Sequence, residues 1–397
     1  MRRRSIALLT VVLVIAACSA DAEPTTTTTS TTTTTTTSST TTTTIPTTTT
    51  TEYRLEIEGA GAELMGLVSH LYSGRAEPGS LPAPDDLVEA FSNADGDLPT
   101  EAVATVASWD EETEVAAVVA GEDVTLAVAD PDWRIVGGWW PGRGVEAHLG
   151  EFPKILAVVG SDARPGENRE TARADSIHFV GIDGDGAAGI VGVPRDSWVP
   201  IPGAGNSKIN ASLAFGGPEM MMDAFTELTD LEFDGYLLTG FAGFEGMIEV
   251  LGGLAMDVPR NFNDRAAKAY LSAGEQVLNA AEALALSRTR KTLPRGDFQR
   301  QEHGGLVMMA AQAMVRAGGA YGLPDLLAGV QPHLSTDLDP AELLVTAAAI
   351  TRVEPSNVTN VVAPGGVGSA GGASVVFLRD SASDLWDDLA DGSLETE

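Results

Sequence analysis

Positively charged side chains are concentrated in one short segment of an otherwise acidic chain. Five of the 24 lysines and arginines lie between residues 288 and 300, with a single carboxylate among them. They are Arg288, Arg290, Lys291, Arg295 and Arg300, with Asp297. Repulsion within a cluster of like charges destabilises the folded protein unless an anion neutralises it. The planar guanidinium group of arginine suits phosphate and carboxylate oxygens. The segment therefore predicts an anion site, although a basic surface patch paired with distant acidic residues would look the same.

A second group of charges flanks a predicted β-hairpin. Two β-rich runs, 176–182 and 188–193, are separated by the turn residues Asp183–Gly186. If the turn closes a hairpin, counting back from it places Asp175 nearly opposite Arg195. Arg173 and Asp196 extend the group on either side.

A third strand, 155–159, ends just before Asp162 and Arg164. The ends of strands in α/β sheets commonly bind ligands, so carboxylates and guanidiniums from three strands are expected to meet at one edge. Carboxylates beside arginines suit a divalent metal that neutralises a pyrophosphate. The alternative is a lattice of salt bridges that only holds the strand ends.

The elements that must position these residues alternate between strand and helix, which predicts an α/β fold. Beyond the hairpin we expect helix at 218–228, strand at 236–239, helix at 241–251 ended by two glycines, and longer helices at 275–288 and 299–317. Residues 52–150 differ in pattern and predict a small α+β accessory domain. It has a helix at 62–72 and strands at 114–120, 124–129 and 133–140. The last strand contains three tryptophans. A role in core or interdomain packing is favoured for them over a role as a platform on which a sugar stacks.

The N-terminus predicts export and lipid anchoring. Three arginines at 2–4 precede an apolar run at 6–17, as in a signal peptide. Small residues before Cys18 are typical of bacterial lipoprotein signals, so Cys18 is expected to be lipidated after residues 1–17 are removed. Residues 25–51 are almost entirely Thr and Ser, which predicts a disordered stalk within 18–51. We therefore expect the head to lie on the outer face of the cytoplasmic membrane, in the cell-wall space.

The composition of the chain argues against several classes of protein. The formal charge is −32 and becomes −35 once the three signal arginines are removed, which argues against a nucleic-acid partner. A single cysteine excludes an intramolecular disulfide. No apolar run reaches the roughly 20 residues of a membrane-spanning helix.

Eight short motifs in a fixed order resemble the LytR-CpsA-Psr (LCP) family of cell-wall phosphotransferases. They are Gly160-Ser161-Asp162-Ala163-Arg164, Arg173-Ala174-Asp175-Ser176, Pro194-Arg195-Asp196, Lys208-Ile209-Asn210, Gly252-Gly253, Ala273-Gly274-Glu275-Gln276, Arg288-Thr289-Arg290 and Gly296-Asp297-Phe298-Gln299-Arg300. The resemblance implies a central mixed β-sheet flanked by helices. A catalytic domain would span 151–335, and 336–397 would complete it.

The resemblance also implies a reaction: transfer of a glycopolymer from a polyprenyl-pyrophosphate carrier to peptidoglycan through a phosphodiester. Asp162 and Asp175 would hold Mg²⁺ or Mn²⁺. The pyrophosphate ligands would be Arg173, Arg195, Lys208 and Arg300, and the catalytic residues Arg288, Arg290 and Asp297. Asp297 would either orient the arginines or help to deprotonate the acceptor hydroxyl. Apolar residues between 215 and 251 would line a lipid pocket or form ordinary core.

One departure from the family pattern leaves a second function open. Many members carry a polar side chain at the position of Gly304, one helical turn beyond Arg300, so a side chain that could touch the pyrophosphate is missing. His303, beside it, could be a base or a structural residue. The alternative function is a non-catalytic envelope lipoprotein that binds polyprenyl-phosphate lipids or wall polymers.

Overall fold

A computed structural model describes residues 53–395 of the 397-residue chain. The predicted signal peptide, Cys18 and the Thr/Ser-rich stalk lie outside the described residues. Within residues 53–395, no helix is both long and apolar enough to span a bilayer.

The first six strands form one sheet in chain order, and two helices pack on one of its faces. These elements are β1 (Glu56–Glu58), α1 (Ala62–Tyr72), α2 (Asp85–Asn93), β2 (Glu101–Ser108), β3 (Glu114–Ala120), β4 (Asp123–Ala129), β5 (Trp133–Trp140) and β6 (Val145–His148). The sheet is antiparallel except between β1 and β2. Helix α1 buries Leu64, Leu67, Val68 and Leu71, which its helical spacing predicts to share one face.

The three tryptophans of β5 are packing residues. Trp140 is fully buried, and its Nε1 donates to Thr125 Oγ1 at 2.8 Å. Trp133 and Trp139 are partly buried and pack against the cores on the two faces of the sheet. A flat sugar-stacking platform would need exposed rings side by side, so the interpretation as packing residues fits the structure better.

The second part of the chain is a mixed α/β arrangement, as predicted. Its elements are β7 (Lys154–Ser161), β8 (Ala174–Ile182), β9 (Ala188–Gly192), β10 (Trp198–Ile201), β11 (Gly205–Lys208), α3 (Ala211–Thr229), β12 (Gly235–Thr239), α4 (Phe241–Val250), β13 (Leu254–Val258), β14 (Phe262–Asp264), β15 (Ala269–Leu271), β16 (Gly274–Leu278), α5 (Ala280–Arg288), α6 (Asp297–Gly318), α7 (Leu323–Val330), β17 (Ser335–Thr336), α8 (Pro340–Arg352), β18 (Val358–Val362), β19 (Gly365–Ala370), β20 (Ala373–Leu378) and α9 (Ser381–Leu389). Its central sheet has the order β17-β12-β7-β8-β9-β18.

Side-chain alternation along β8 determines which helices cover each face of the central sheet. Phe179 points to one face, where its ring packs edge-on against Phe225 of α3 and Trp386 of α9. His178 points to the other face, where its Nε2 contacts the carbonyl of Gln301 in α6 at 2.9 Å. Both side chains are fully buried, so α6 is held directly against the middle of the sheet.

The two sheets are joined by a shared core. Apolar residues of β3 and β4 pack against α7 and α8 of the second part. The predicted boundary after residue 150 falls between β6 and β7, and residues 53–395 pack as one compact unit across it.

The prediction of one helix over 275–288 is wrong in its first turn. Residues 275–278 belong to β16, which pairs antiparallel with β13. The helix begins only after Asn279, whose side chain accepts from the Glu282 N–H while the Glu282 carboxylate accepts from the Asn279 N–H. This reciprocal capping box specifies the start of α5.

Most of the apolar segment 215–251 forms ordinary core. Met221, Phe225 and Leu238 are fully buried in the core beside the central sheet. Phe215 and Val250, near the two ends of the segment, are exposed.

Candidate active site

Asp162 and Arg173 lie opposite each other where β7 ends and β8 begins. The Asp162 N–H donates to the Arg173 carbonyl and the Arg173 N–H donates to Asp162 Oδ1, both at 2.9 Å. These bonds extend the antiparallel pairing past its last register pair, Ser161 with Ala174. The Arg173 side chain is left exposed, where it can meet a ligand.

The hairpin between β8 and β9 brings Asp175 and Arg195 into direct contact. Asp183 Oδ1 accepts hydrogen bonds from three N–H groups of the turn, those of residues 185, 186 and 187. The turn fixes the register of the two antiparallel strands, and the Arg195 guanidinium forms an ion pair with the Asp175 carboxylate. The predicted juxtaposition is therefore present in the structure.

The first turn of α6 joins this pair through Asp297 and Arg300. Arg300 Nη2 lies 2.7 Å from Asp297 Oδ1 and also donates to the Asp175 carbonyl. Asp297 Oδ2 accepts from the Arg195 N–H at 3.2 Å. The Arg300 and Asp297 side chains are only 8% and 10% exposed, so this network holds the start of α6 to the strand ends.

Three other predicted cations lie around this network. Arg290 Nη1 is 4.0 Å from Asp297 Oδ1. The Arg288 guanidinium stacks over Phe241 of α4, 4.5 Å from the ring centroid. Lys208 Nζ is 2.7 Å from Asp196 Oδ1. Lys208 is therefore paired with the carboxylate next to Arg195.

Burial and ion pairing have opposite effects on the pKa values of Arg195 and Arg300. Burial lowers the pKa of Arg300, and the attraction of the nearby carboxylates of Asp297 and Asp175 does not fully offset it. Burial also opposes ionisation of Arg195, but the ion pair and hydrogen bond with Asp175, together with the nearby carboxylates of Asp297 and Asp196, outweigh it and raise the pKa of Arg195. Arginine keeps its proton in proteins, so both side chains are fixed positive charges in a setting that screens them poorly.

Two cavities meet at the Asp175–Arg195 pair. The larger has a volume of about 1330 Å³, and the smaller has about 200 Å³. Both are bordered by Asp175, Arg195, Arg290 and Lys291. The predicted site residues on the larger cavity are Asp162, Arg173, Asp175, Arg195, Lys208, Arg290 and Asp297. Arg288 and Arg300 line the smaller one, so all nine are brought to one continuous region.

The two carboxylates expected to bind a metal both border the larger cavity. Asp162 accepts one backbone hydrogen bond through Oδ1, whereas Asp175 is paired with Arg195 and lies 4.0 Å from Arg300. Among the described residues, no group of three His, Cys, Asp or Glu side chains is arranged to hold a metal ion. Two carboxylates on adjacent strands fit Mg²⁺ only as a partial ligand set that waters and substrate phosphate oxygens complete, which is how Mg²⁺ is commonly bound.

The inference that Gly304 leaves a gap beside the pyrophosphate is wrong. A Cβ built on Gly304 would lie 2.6 Å from Cε1 of the His178 imidazole. Gly304 is thus directed at the core between α6 and β8, and it lines neither cavity. A side chain at this position would have to displace the buried His178 ring, which glycine avoids.

His303 is a structural histidine. Its ring packs edge-on against Phe262 at 5.3 Å between centroids, and the residue is 2% exposed. Burial lowers its pKa to about 4, helped by Arg260 and Arg295. The ring is therefore neutral near pH 7 and away from both cavities.

Sequence reasoning did not include several cavity-lining residues. Asp264 lines the smaller cavity. Phe241, beneath Arg288, also lines it and belongs to the apolar segment 215–251, which was expected to line a lipid pocket or form core. The C-terminal strands β19 and β20 and Arg379 line the larger one. The pair Gly371-Gly372 just before the β-rich run 373–378 is a turn signal that could have found this wall.

Comparisons with known proteins agree with this architecture. Residues 147–390 match the LytR_cpsA_psr family model. The chain is 30% identical over 192 residues to a polyisoprenyl-teichoic acid–peptidoglycan teichoic acid transferase, TagU, of Bacillus cereus, covering 47% of this chain and 61% of that protein. It is 34% identical over 155 residues to the probable cell wall biosynthesis protein LcpB of Corynebacterium glutamicum, covering 36% and 37%.

Solved structures share the fold at lower identity. TagV of B. subtilis superposes with a TM-score of 0.53 at 22% identity, covering 62% of this chain and 99% of that one. TagT bound to LI-WTA gives 0.52 at 22% identity, covering 62% and 93%. The chain spans about three fifths of the length of the TagU proteins it matches. With the family match extending over more than half of its residues, this chain belongs to the LytR_cpsA_psr family.

Proposed function

We propose that this protein is an extracytoplasmic phosphotransferase that moves a glycopolymer from a polyprenyl-pyrophosphate carrier onto peptidoglycan. Its relatives include TagU proteins, named as transferases of teichoic acid from a polyisoprenyl carrier to peptidoglycan. The observation that carries the proposal is the meeting of two cavities at the paired Asp175 and Arg195, with seven further cations singled out in the sequence analysis lining them. A pyrophosphate needs this kind of fixed positive surface.

The proposed reaction breaks one phosphoanhydride bond. The acceptor hydroxyl attacks the phosphorus that carries the glycopolymer, a new P–O bond forms, and polyprenyl phosphate departs with the bridging oxygen. The hydroxyl proton passes to the departing phosphate, directly or through water. Without an acceptor, water would attack in the same way, so the cleft would also act as a pyrophosphatase.

The protein contributes charge and alignment, which dominate phosphoryl transfer. Arg195 and Arg300 are held by carboxylates and would face the pyrophosphate without reorganising. Arg288, Arg290 and the exposed Arg173 would bind its remaining oxygens, and Lys208 would add positive charge near the strand ends. Both oxygens of Asp297 are engaged by Arg300 and the Arg195 N–H. This supports an orienting role for Asp297 over that of a base.

Asp162 and Asp175 would hold the metal, which we propose is Mg²⁺ or Mn²⁺. When bound, the ion would neutralise charge on the pyrophosphate oxygens. The proposal predicts that turnover needs added metal, and that Asp162→Asn raises the Mg²⁺ concentration required for half-maximal turnover. Turnover that persists in excess EDTA would contradict the proposed metal dependence.

The location of the protein is part of the proposal. Lipidation of Cys18 would anchor it at the membrane, and residues 25–51 would extend the head toward the peptidoglycan. Cys18→Ser should release the protein from the membrane fraction of the producing cells, where the wild-type protein should remain.

The central test is turnover of a synthetic polyprenyl-pyrophosphate disaccharide with Mg²⁺. Arg288→Ala should abolish release of polyprenyl phosphate while the protein keeps its melting temperature, because this residue is exposed. The control Arg54→Ala removes an exposed cation that lines neither cavity and should retain full activity. Full activity of Arg288→Ala would refute the site assignment, and binding without turnover by the wild-type protein would favour the non-catalytic alternative.

A further inference from the structure

A third cavity lies where the first part of the chain meets the second. Its volume is about 590 Å³, within the roughly 300–1,000 Å³ of ordinary small-molecule sites. Residues 82–84 and 134–136 of the first part line it, together with the start of β7 and helix α8 of the second. It shares no lining residue with the two cavities of the candidate active site. The proposed transfer reaction therefore gives this cavity no role.

The cavity contains a buried lysine that has neither an ion-pair nor a hydrogen-bond partner. Lys154, the first residue of β7, lines the cavity and is only 9% exposed. Among residues 53–395, no carboxylate oxygen lies within 4.0 Å of its Nζ, and its Nζ donates no hydrogen bond. The ammonium lies over the Phe152 ring, 5.3 Å from the centroid. Lysine is almost never buried unless it is paired, so a ligand in the cavity would supply the missing partner.

Two carboxylates on the cavity wall are positioned by main-chain hydrogen bonds. Asp234 Oδ2 accepts from the Ile155 N–H at 2.6 Å. Glu342 Oε2 accepts from the Asp339 N–H at 2.8 Å, within the capping box of α8. The second oxygen of each carboxylate has no hydrogen-bond donor among the described residues. Both side chains are therefore fixed in place and still able to accept from a ligand.

The charges around the cavity indicate which class of ligand fits. Four carboxylates and two cations line it: Glu151, Asp234, Asp339 and Glu342, with Lys154 and Arg134. Burial lowers the pKa of Lys154, and the attraction of three of these carboxylates only partly offsets it.

No ligand of a single charge satisfies this arrangement. A purely anionic ligand would meet the surplus of carboxylates, and a purely cationic ligand would meet Lys154. A neutral hydroxyl would leave the buried ammonium without a counter-ion, which is costly. A ligand that carries both a carboxylate and an ammonium would form charge-assisted hydrogen bonds with both kinds of group.

We propose that this cavity binds a zwitterionic amino acid or a short peptide with free termini. Its carboxylate would pair with Lys154, and its ammonium would bind Asp234 and Glu342. Apolar lining residues, among them Ile135, Leu338 and Val345, would contact the rest of the ligand. Because both parts of the chain line the cavity, the ligand would also hold the two parts together.

The site is separate from the candidate active site. A strand advances about 3.3 Å per residue, so Lys154 and Asp162, which lie at opposite ends of β7, are about 26 Å apart along it. The inference does not rest on the proposed transfer reaction, and its test measures binding without any donor.

The first measurement is calorimetry of the purified full chain with leucine and with dialanine, each in the L and the D configuration. Tighter binding of leucine would support a free amino acid as the ligand. Tighter binding of dialanine would support a peptide with free termini. The absence of saturable binding by all four probes would overturn the site.

The second measurement removes one charge of the ligand at a time, with the amide and the N-acetyl derivative of the tighter-binding probe. The wild-type protein should bind the parent probe about tenfold more tightly than its amide, as expected for one charge-assisted contact. This preference should disappear in Lys154→Met. The control Lys268→Met changes an exposed lysine that lines none of the three cavities, and it should keep the preference. An unchanged preference in Lys154→Met, or tighter binding of the N-acetyl derivative than of the parent probe, would overturn the assignment.

Thermal unfolding checks that Lys154→Met acts on the ligand and not on the fold. Without a probe, the variant should melt no lower than the wild-type protein, because the substitution removes a buried charge that has no partner. At the same probe concentration, the melting temperature of the wild-type protein should rise more than that of the variant. A variant that melts lower in the absence of the probe would show that Lys154 has a partner within the protein, and would overturn the inference.

Discussion

Replacing Gly304 with alanine should destabilise the protein, although alanine is the better helix former. Gly304 lies inside α6, and a Cβ there would be 2.6 Å from Cε1 and 2.8 Å from Nε2 of His178. The imidazole cannot move away easily, since it is fully buried and its Nε2 donates to the Gln301 carbonyl at 2.9 Å. The new methyl group must therefore push α6 away from β8.

The magnitude follows from two opposing contributions. Glycine-to-alanine in a helix interior gains up to about 1 kcal/mol, whereas overpacking a rigid core costs about 1–3 kcal/mol. We expect a net loss of about 1 kcal/mol in the free energy of unfolding. In a His178→Ala background the space is free, so the same Gly304→Ala change should instead stabilise by up to about 1 kcal/mol.

The assay is urea unfolding of the four members of this double-mutant cycle. Gly66→Ala in α1 is the matched control, because a Cβ at that helical glycine would meet nothing within 4 Å, and it should stabilise the protein. The coupling between positions 304 and 178 should be about 1–3 kcal/mol. If Gly304→Ala were equally stabilising in both backgrounds, Gly304 would not face His178 and the packing argument would be refuted.

Four further outcomes are expected. Burial lowers the pKa of both His178 and His303 to about 4, so the unfolded chain binds these protons first as pH falls below about 6.5. Each group should lower stability at pH 5 by about 2 kcal/mol, and His178→Gln should roughly halve the decline of the urea midpoint between pH 7 and 5. Asn279→Ala, which removes the capping box of α5, should cost about 1 kcal/mol in urea unfolding. Asp183→Ala removes the acceptor of three turn N–H groups and should lower the melting temperature by several degrees. Phe241→Leu should lower kcat several-fold without changing the melting temperature, because the Arg288 guanidinium loses its stacking partner.

The predicted hairpin was recoverable from sequence because its signals are local. Strand alternation and the turn at Asp183–Gly186 set the register of β8 and β9, and register alone places Asp175 beside Arg195. The concentration of cations at 288–300 likewise predicted an anion site, and the fold brings these residues to the two cavities. Both inferences needed only residue types and counting along the chain.

The predictions that were wrong concern residues whose structure depends on contacts with distant parts of the chain. Residues 275–278 were expected to begin a helix over 275–288, but pairing with β13 makes them a strand. The direction of Gly304 depends on where α6 rests against β8, a contact 123 residues apart between His178 and Gln301. Hydrophobic periodicity shows which face of a helix is apolar. It does not show which side chain from a distant strand will pack against that face.

The most direct test of the central claim is the fate of oxygen during turnover. The polyprenyl-pyrophosphate donor would be incubated with a peptidoglycan fragment in ¹⁸O-labelled water, and the products analysed by mass spectrometry. The account predicts a phosphodiester between glycopolymer and acceptor that contains no ¹⁸O, formed together with an equal amount of polyprenyl phosphate. Release of only ¹⁸O-labelled glycopolymer phosphate, or no cleavage at all, would contradict it.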